Sequence, residues 1–182
     1  MENSLPFGSV VLAARRAADV VAALHPPSRL AYRETVCNVN DVLARYSEID
    51  TVTEVEFDDL KLVTQKIYKI FTVLDTGKTA MLLNNVLAEY ASTPCLRRGK
   101  NKAWQVCVDD GEGASWVERF AAASALAFAV LLAEKGWNAC KLCASSSCHR
   151  PYVDVSRDGS KNYCSPRCAT RERVAAYRKR TV

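Results

Sequence analysis

Two close cysteine pairs, Cys143 with Cys148 and Cys164 with Cys168, bracket the turn-rich stretch HRPYVDVSRDGSKNY near the end of a 182-residue chain. A segment this short buries little apolar surface, so something other than a hydrophobic core must hold it. Tetrahedral zinc suits the pattern, because two chain bends can each present two sulfurs to one ion. Metal binding would then supply most of the segment's folding free energy, on the order of 10 kcal/mol. Four thiolates saturate zinc and leave no position for water, so the spacing predicts one structural Zn2+ and no metal catalysis. The ligand set is open on spacing alone. Cys140 with Cys143 makes a C-x2-C, a commoner zinc spacing than the C-x4-C of Cys143 and Cys148, and His149 adjoins Cys148.

The other cysteines support metal over disulfides. Five of the eight fall in the last 43 residues, whereas a disulfide framework would spread them over the fold. The opening MENSLPFGSVVLAARR lacks a basic segment before its apolar part, which predicts no secretory signal and a reducing cytoplasm. Cys37, Cys95 and Cys107 are expected to pack as small apolar residues.

The residues between and after the pairs predict a knuckle, a hairpin and a helix pinned by zinc. Asp158-Gly159 between Tyr152, Val153, Val155 and Tyr163 reads as a hairpin turn. Cys164 and Cys168 are four residues apart, so both sulfurs can face one way from the start of a helix running from about Pro166 to Arg180. Val174 and Tyr177 are expected to turn inward onto the hairpin.

This stretch resembles the CGNR zinc finger, through Cys143, Cys148, Tyr152, Asp154, Ser156, Arg157, Gly159, Cys164, Ser165, Cys168 and Arg171. The resemblance implies that Cys143, Cys148, Cys164 and Cys168 bind the zinc and leaves Cys140 out. The chain departs from the family in its second pair, C-x3-C where C-x4-C is usual, and in reading Cys168-Ala169-Thr170-Arg171 at the eponymous motif. Proteins with this finger usually carry an N-terminal helical domain with a small β element, grouped as ABATE-type stress-induced transcription regulators. Residues 1–136 look like that domain in element order, with the finger over 137–182.

Charge divides along the same line. Residues 141–182 carry ten basic and three acidic side chains, net +7, while residues 1–140 carry 15 and 17, net −2. A basic tail on a weakly acidic body points to a polyanionic partner. Arg167, Arg171, Arg178 and Lys179 fall near one another at helical steps, Arg173 and Arg180 lie toward a neighbouring face, and Arg157 and Lys161 sit on the expected turn. Arginine forks suit phosphates and guanine edges, so these eight residues are the expected contacts to double-stranded DNA. The alternative is an interaction module whose helix docks an acidic protein surface, with zinc purely structural.

The body reads as mainly helical within an α+β chain, followed by a treble-clef-like finger. GSVVLAARRAADVVAAL is a helix halted by HPPS, and NVNDVLARYSEID starts a short helix capped by Asn40 or Asp41. TVTEVEF reads as a strand or a loop. Leu60, Val63, Ile67, Ile70, Phe71 and Leu74 predict a helix over Asp58–Asp75, broken at Gly77, and a second helix follows in KTAMLLNNVLAEYAS. Alternation at Trp104, Val106 and Val108 predicts a hairpin, roughly Thr93–Arg97 with Ala103–Val108. A long buried helix follows and ends at Gly136; its apolar run is too short and too near charges to predict a membrane span.

No catalytic constellation stands out, and none is expected. His25 lies beside two prolines; Asp58 and Asp59 favour a helix dipole; Asp109, Asp110 and Glu112 form an acidic turn; DTGKT lacks the first glycine of a phosphate loop. Trp104 and Trp116 are expected in the core. Together these features predict a cytoplasmic, zinc-containing DNA-binding regulator whose body senses a small-molecule effector or forms a homodimer.

Overall fold

The computed structural model describes residues 7–25, 32–46, 52–98, 104–136 and 139–180. Helices dominate: α1 (Phe7–Leu24), α2 (Tyr32–Arg45), α3 (Glu54–Thr72), α4 (Thr76–Tyr90), α5 (Trp116–Lys135) and α6 (Pro166–Arg180). Strands β1 (Cys95–Arg98) and β2 (Trp104–Cys107) form one antiparallel pair, and β3 (Cys140–Leu142) and β4 (Pro151–Val153) form another. The HPPS stretch, the hairpin loop and Ala103 lie outside the described residues, apart from His25.

The body is organised around α5. Ser115 caps it, accepting from the Glu118 amide at 3.2 Å while the Glu118 carboxylate accepts from the Ser115 amide at 2.7 Å. This reciprocal pair satisfies donors that a helix start otherwise leaves unpaired. Gly136 ends the helix at φ 68°, a conformation that costs glycine little. Between these stops α5 buries Val117, Phe120, Ala121, Ala125, Phe128 and Leu131. By length and composition α5 could cross a bilayer, but half of its most apolar window is buried within this fold. Ala14, Ala17 and Ala18 of α1 are also buried, and such small side chains let helices approach closely.

Phe128 is fully buried and meets Phe71 edge to face, with ring centroids 5.5 Å apart. Truncation there leaves a cavity that close-packed neighbours cannot refill. Phe128→Ala is expected to lower stability by ~3–5 kcal/mol, read from urea unfolding of the zinc-loaded chain.

Several expectations need correction. The second helix begins at Tyr32, so Asn40 and Asp41 lie inside it; Asn40 Oδ1 instead accepts from the Val52 amide at 2.9 Å and ties down the incoming chain. The helix expected from Asp58 begins at Glu54, because Thr53 and Glu56 form a capping box within the ambiguous TVTEVEF. It ends at Thr72, and Leu74, beyond it, is 73% exposed. The break sits before Gly77, which falls in the first turn of α4: Asp75 caps that helix by accepting from the Lys78 amide at 2.7 Å.

The first hairpin pairs Cys95 with Cys107, Leu96 with Val106, Arg97 with Gln105 and Arg98 with Trp104. Trp104 is not core. It is 62% exposed, with the Arg98 guanidinium 6.0 Å from its ring. β1 is exposed along its length and β2 is half-buried only from Gln105 onward, so the hairpin offers no buried position at Trp104. Trp116, in contrast, is half-buried and stacks on Phe120 at 5.3 Å. Cys37 and Cys95 are exposed rather than packed, and Cys107 is half-buried.

Candidate metal centre

The chain enters the centre from the core. Ala139 and Cys140 belong to the buried apolar cluster, and Leu142, Val153 and Val155 pack against it. β3 and β4 pair Cys140 with Val153, Lys141 with Tyr152 and Leu142 with Pro151, so the knuckle carrying Cys143 and Cys148 forms the tip of this hairpin. The hairpin expected about Asp158-Gly159 is therefore displaced. Residues 156–159 make only a local turn, with Gly159 at φ 60°. The reason is that the strand before Cys143, not the segment after Gly159, offers β4 a free edge joined to the core.

A buried carboxylate fixes that turn. Asp154 is 1% exposed. Its Oδ1 accepts from the Ser156 amide at 2.9 Å and from the Ser156 hydroxyl, and its Oδ2 accepts from the Lys161 amide at 3.0 Å and from Lys141 Nζ at 3.2 Å. Lys141 also donates to the Gly159 and Lys161 carbonyls. Burial alone would raise the Asp154 carboxyl; the bonds from Ser156, Lys141 and Lys161 outweigh it and hold the pKa below the ordinary carboxylate range.

The four sulfurs of Cys143, Cys148, Cys164 and Cys168 all lie within 4.8 Å of one another. Cys148 to Cys164 is 3.7 Å and Cys164 to Cys168 is 3.8 Å. A disulfide would require about 2.05 Å. Four sulfurs about 2.3 Å from a central zinc sit about 3.8 Å apart, so the cluster has the size of a tetrahedral site. The electrostatics agree. Without a cation, burial and the neighbouring thiols push Cys164 up to about 12, and burial raises Cys148. The Ser165 hydroxyl draws Cys168 down to about 7. A divalent ion is what allows all four to ionise together.

Surrounding bonds set the sulfurs in place. The Cys164 amide donates to Cys143 Sγ at 3.4 Å, the Cys143 amide to the Arg150 carbonyl at 2.9 Å, and the Ala144 amide to the Asn162 carbonyl at 2.8 Å. Glu172 of α6 accepts from the Ser145 hydroxyl at 2.8 Å and the Ser146 amide at 3.1 Å. Arg171 Nη2 lies 3.2 Å from both Ser145 Oγ and Cys168 Sγ. The first turns of α6 thus clasp the knuckle. Ser145, Glu172 and Lys141 were missed by reasoning from sequence; a buried serine paired with a residue 27 positions on leaves no local spacing signal.

Cys140 lies apart from the cluster, in the core, where burial pushes its thiol up to about 12. His149, at φ 49°, is exposed and outside the cluster too.

The basic residues occupy the outer surface. Arg157, Lys161, Arg167, Arg171, Arg173, Arg178, Lys179 and Arg180 are all exposed. Two have local partners: Arg171 faces the sulfurs, and Arg173 donates to Thr170 Oγ1 at 3.1 Å. Val174 and Tyr177 are 44% and 69% exposed, contrary to the inward packing expected of them. α6 buries only Cys168, among the described residues, because it meets the knuckle through its first turns alone. Arg150 ties the finger to the body, with Nη2 2.6 Å from Asp19 Oδ1 of α1.

The family model of the CGNR zinc finger matches residues 140–181. No curated protein matches the chain. The C-terminal segment is a CGNR zinc finger, with four cysteines positioned to hold a single structural zinc ion.

Proposed function

We propose that this chain is a non-enzymatic DNA-binding transcription regulator of the cytoplasm, in which the zinc finger presents α6 to the phosphate backbone of duplex DNA. One observation carries the reading: eight of the finger's ten cationic side chains are exposed, and the metal-clasped end of α6 buries nothing beyond Cys168. The helix therefore offers a long basic surface with a rigid base. Arg157 and Lys161, also exposed, extend that cationic surface beyond α6. Arginine at this density suits bidentate phosphate contacts.

The body has room for an effector. A cleft of about 330 Å³ lies between α1, α5 and β2, with Leu12, Ala13, Leu126, Arg16, Tyr46 and Gln105 among its lining. That size is within the range of small-molecule sites. It supports a sensing role for the body, of the kind that stress-induced regulators require, and a homodimer would suit a two-half-site operator.

Titration of the zinc-loaded chain with random-sequence duplex DNA tests the reading. Affinity is expected to fall steeply with salt, as counterions are released. Replacing Arg157, Arg167 and Arg178 together by glutamine should reduce the magnitude of the log–log salt slope by about 2–3. These three are chosen because they stand clear of the sulfurs. Absence of binding at low salt, with zinc verified, would overturn the proposal and favour an acidic protein surface as the partner of α6.

A further inference from the structure

The structure assigns a second thiol site, separate from the metal centre. We propose that Cys95 and Cys107 are joined by a disulfide when the protein meets a peroxide, making the β1–β2 hairpin a site of reversible oxidation.

The geometry begins with register. Cys95 and Cys107 are direct partners across the antiparallel pair. Directly opposed residues have Cα atoms about 4.5 or 5.5 Å apart, depending on their place in the ladder, and both separations fall within the roughly 4.4–6.8 Å that a disulfide spans. Opposed side chains also project from the same face. A hairpin of only two strands can close by the small distance the bond needs, since no third strand holds either edge.

The chemical setting favours one order of events. Cys95 is exposed, whereas Cys107 is half-buried. Arg97, two residues along the same face, brings Nη2 within 3.9 Å of Cys95 Sγ. That guanidinium, itself paired with Asp109 at 2.8 Å, borders the exposed sulfur without covering it, so a dissolved oxidant reaches Cys95 first. Burial raises the Cys107 thiol, an effect that the Arg97 charge partly offsets. Cys95 is thus the sulfur that meets the oxidant, and Cys107 the one that resolves it. The Cys95 thiolate attacks one peroxide oxygen; an S–O bond forms, the O–O bond breaks, and water leaves after proton uptake. The Cys107 sulfur then attacks Cys95; the S–S bond forms, the S–O bond breaks, and a second water leaves. Two thiols and one hydrogen peroxide become one disulfide and two waters. Cys107 also lines the cleft between α1, α5 and β2, so the crosslink stiffens one wall of that cleft.

The test treats the zinc-loaded full chain with dilute hydrogen peroxide, blocks remaining thiols, and maps crosslinked peptides by mass spectrometry while zinc release is followed with a colorimetric chelator. The expected product links Cys95 to Cys107 within one chain, is reversed by a thiol reductant, and forms with zinc retained. It persists in Cys37→Ser. In Cys107→Ser, a sulfenic-acid trap should label residue 95 at least about tenfold more than it labels Cys107 in Cys95→Ser. If both thiols stay free, or if zinc is ejected and finger cysteines crosslink first, the proposal is overturned. The DNA-binding reading is unaffected by either outcome.

Discussion

Stripping zinc from the protein at neutral pH is expected to unmake the finger. The helix α6 should lose its amide protection from hydrogen exchange, because it buries only Cys168 and rests on the metal knuckle. The apparent free energy at stake is about 10–16 kcal/mol, far above what so little buried surface supplies. Far-UV circular dichroism during chelator titration follows the loss, and added zinc should restore it. Single replacement of Cys148 or Cys164 by serine should abolish stoichiometric zinc, while Cys140→Ser should leave it intact, since Cys140 lies in the core and outside the sulfur cluster.

Acidity should act in the same direction. In the unmade finger the thiols ionise near the free value of about 8.5, and when gathered without a cation Cys164 is raised to about 12 and Cys148 is raised by burial, so in either state both hold protons at neutral pH. Zinc binding must displace at least those two. Each unit of pH lost should therefore weaken zinc by about a hundredfold or more, as measured by competition with a chelator of known pH dependence.

The second large effect is expected at Asp154. Replacement by alanine should cost about 3–5 kcal/mol, because it strands a buried cation and removes the acceptors of three backbone or hydroxyl donors at once. Lys141, its partner, is only 15% exposed. Asp154→Asn keeps an acceptor and separates the charge contribution from the hydrogen-bond contribution. Urea unfolding of the zinc-loaded chain checks both variants. The sign with pH follows from the depressed folded-state pKa. The stabilisation is complete above the unfolded carboxyl value of about 3.9 and is lost as pH falls through the lower folded value. Acid loss of this term thus lies below about pH 4, whereas zinc begins to weaken well above it. The two losses should separate in an acid titration.

Asp154 and the knuckle also mark where sequence reading succeeds and where it stops. Residues close in sequence act through geometry that the chain's own period sets. Cys164 and Cys168 four residues apart across the start of α6, Gly136 after an apolar run, and Pro166 at the start of α6 are all of this kind. Thr53 with Glu56 is too, although the β-branched alternation of TVTEVEF masked the capping box. Leu74, by contrast, continued a helical period past the point where Asp75 made a better start for the next helix, so local capping overrode periodicity.

Sequence by itself determined that four late cysteines would converge on one ion, that a basic helix would follow them, and that the body would be helical. Short-range spacing and charge density carry that information directly. Only the tertiary structure decided that Cys140 serves the core, that β3 rather than the segment after Gly159 pairs with β4, and that Glu172 clasps Ser145. Each depends on which distant surface an element meets. That choice is made by burying apolar area and satisfying buried polar groups across the whole fold, and it leaves no periodic trace along the chain.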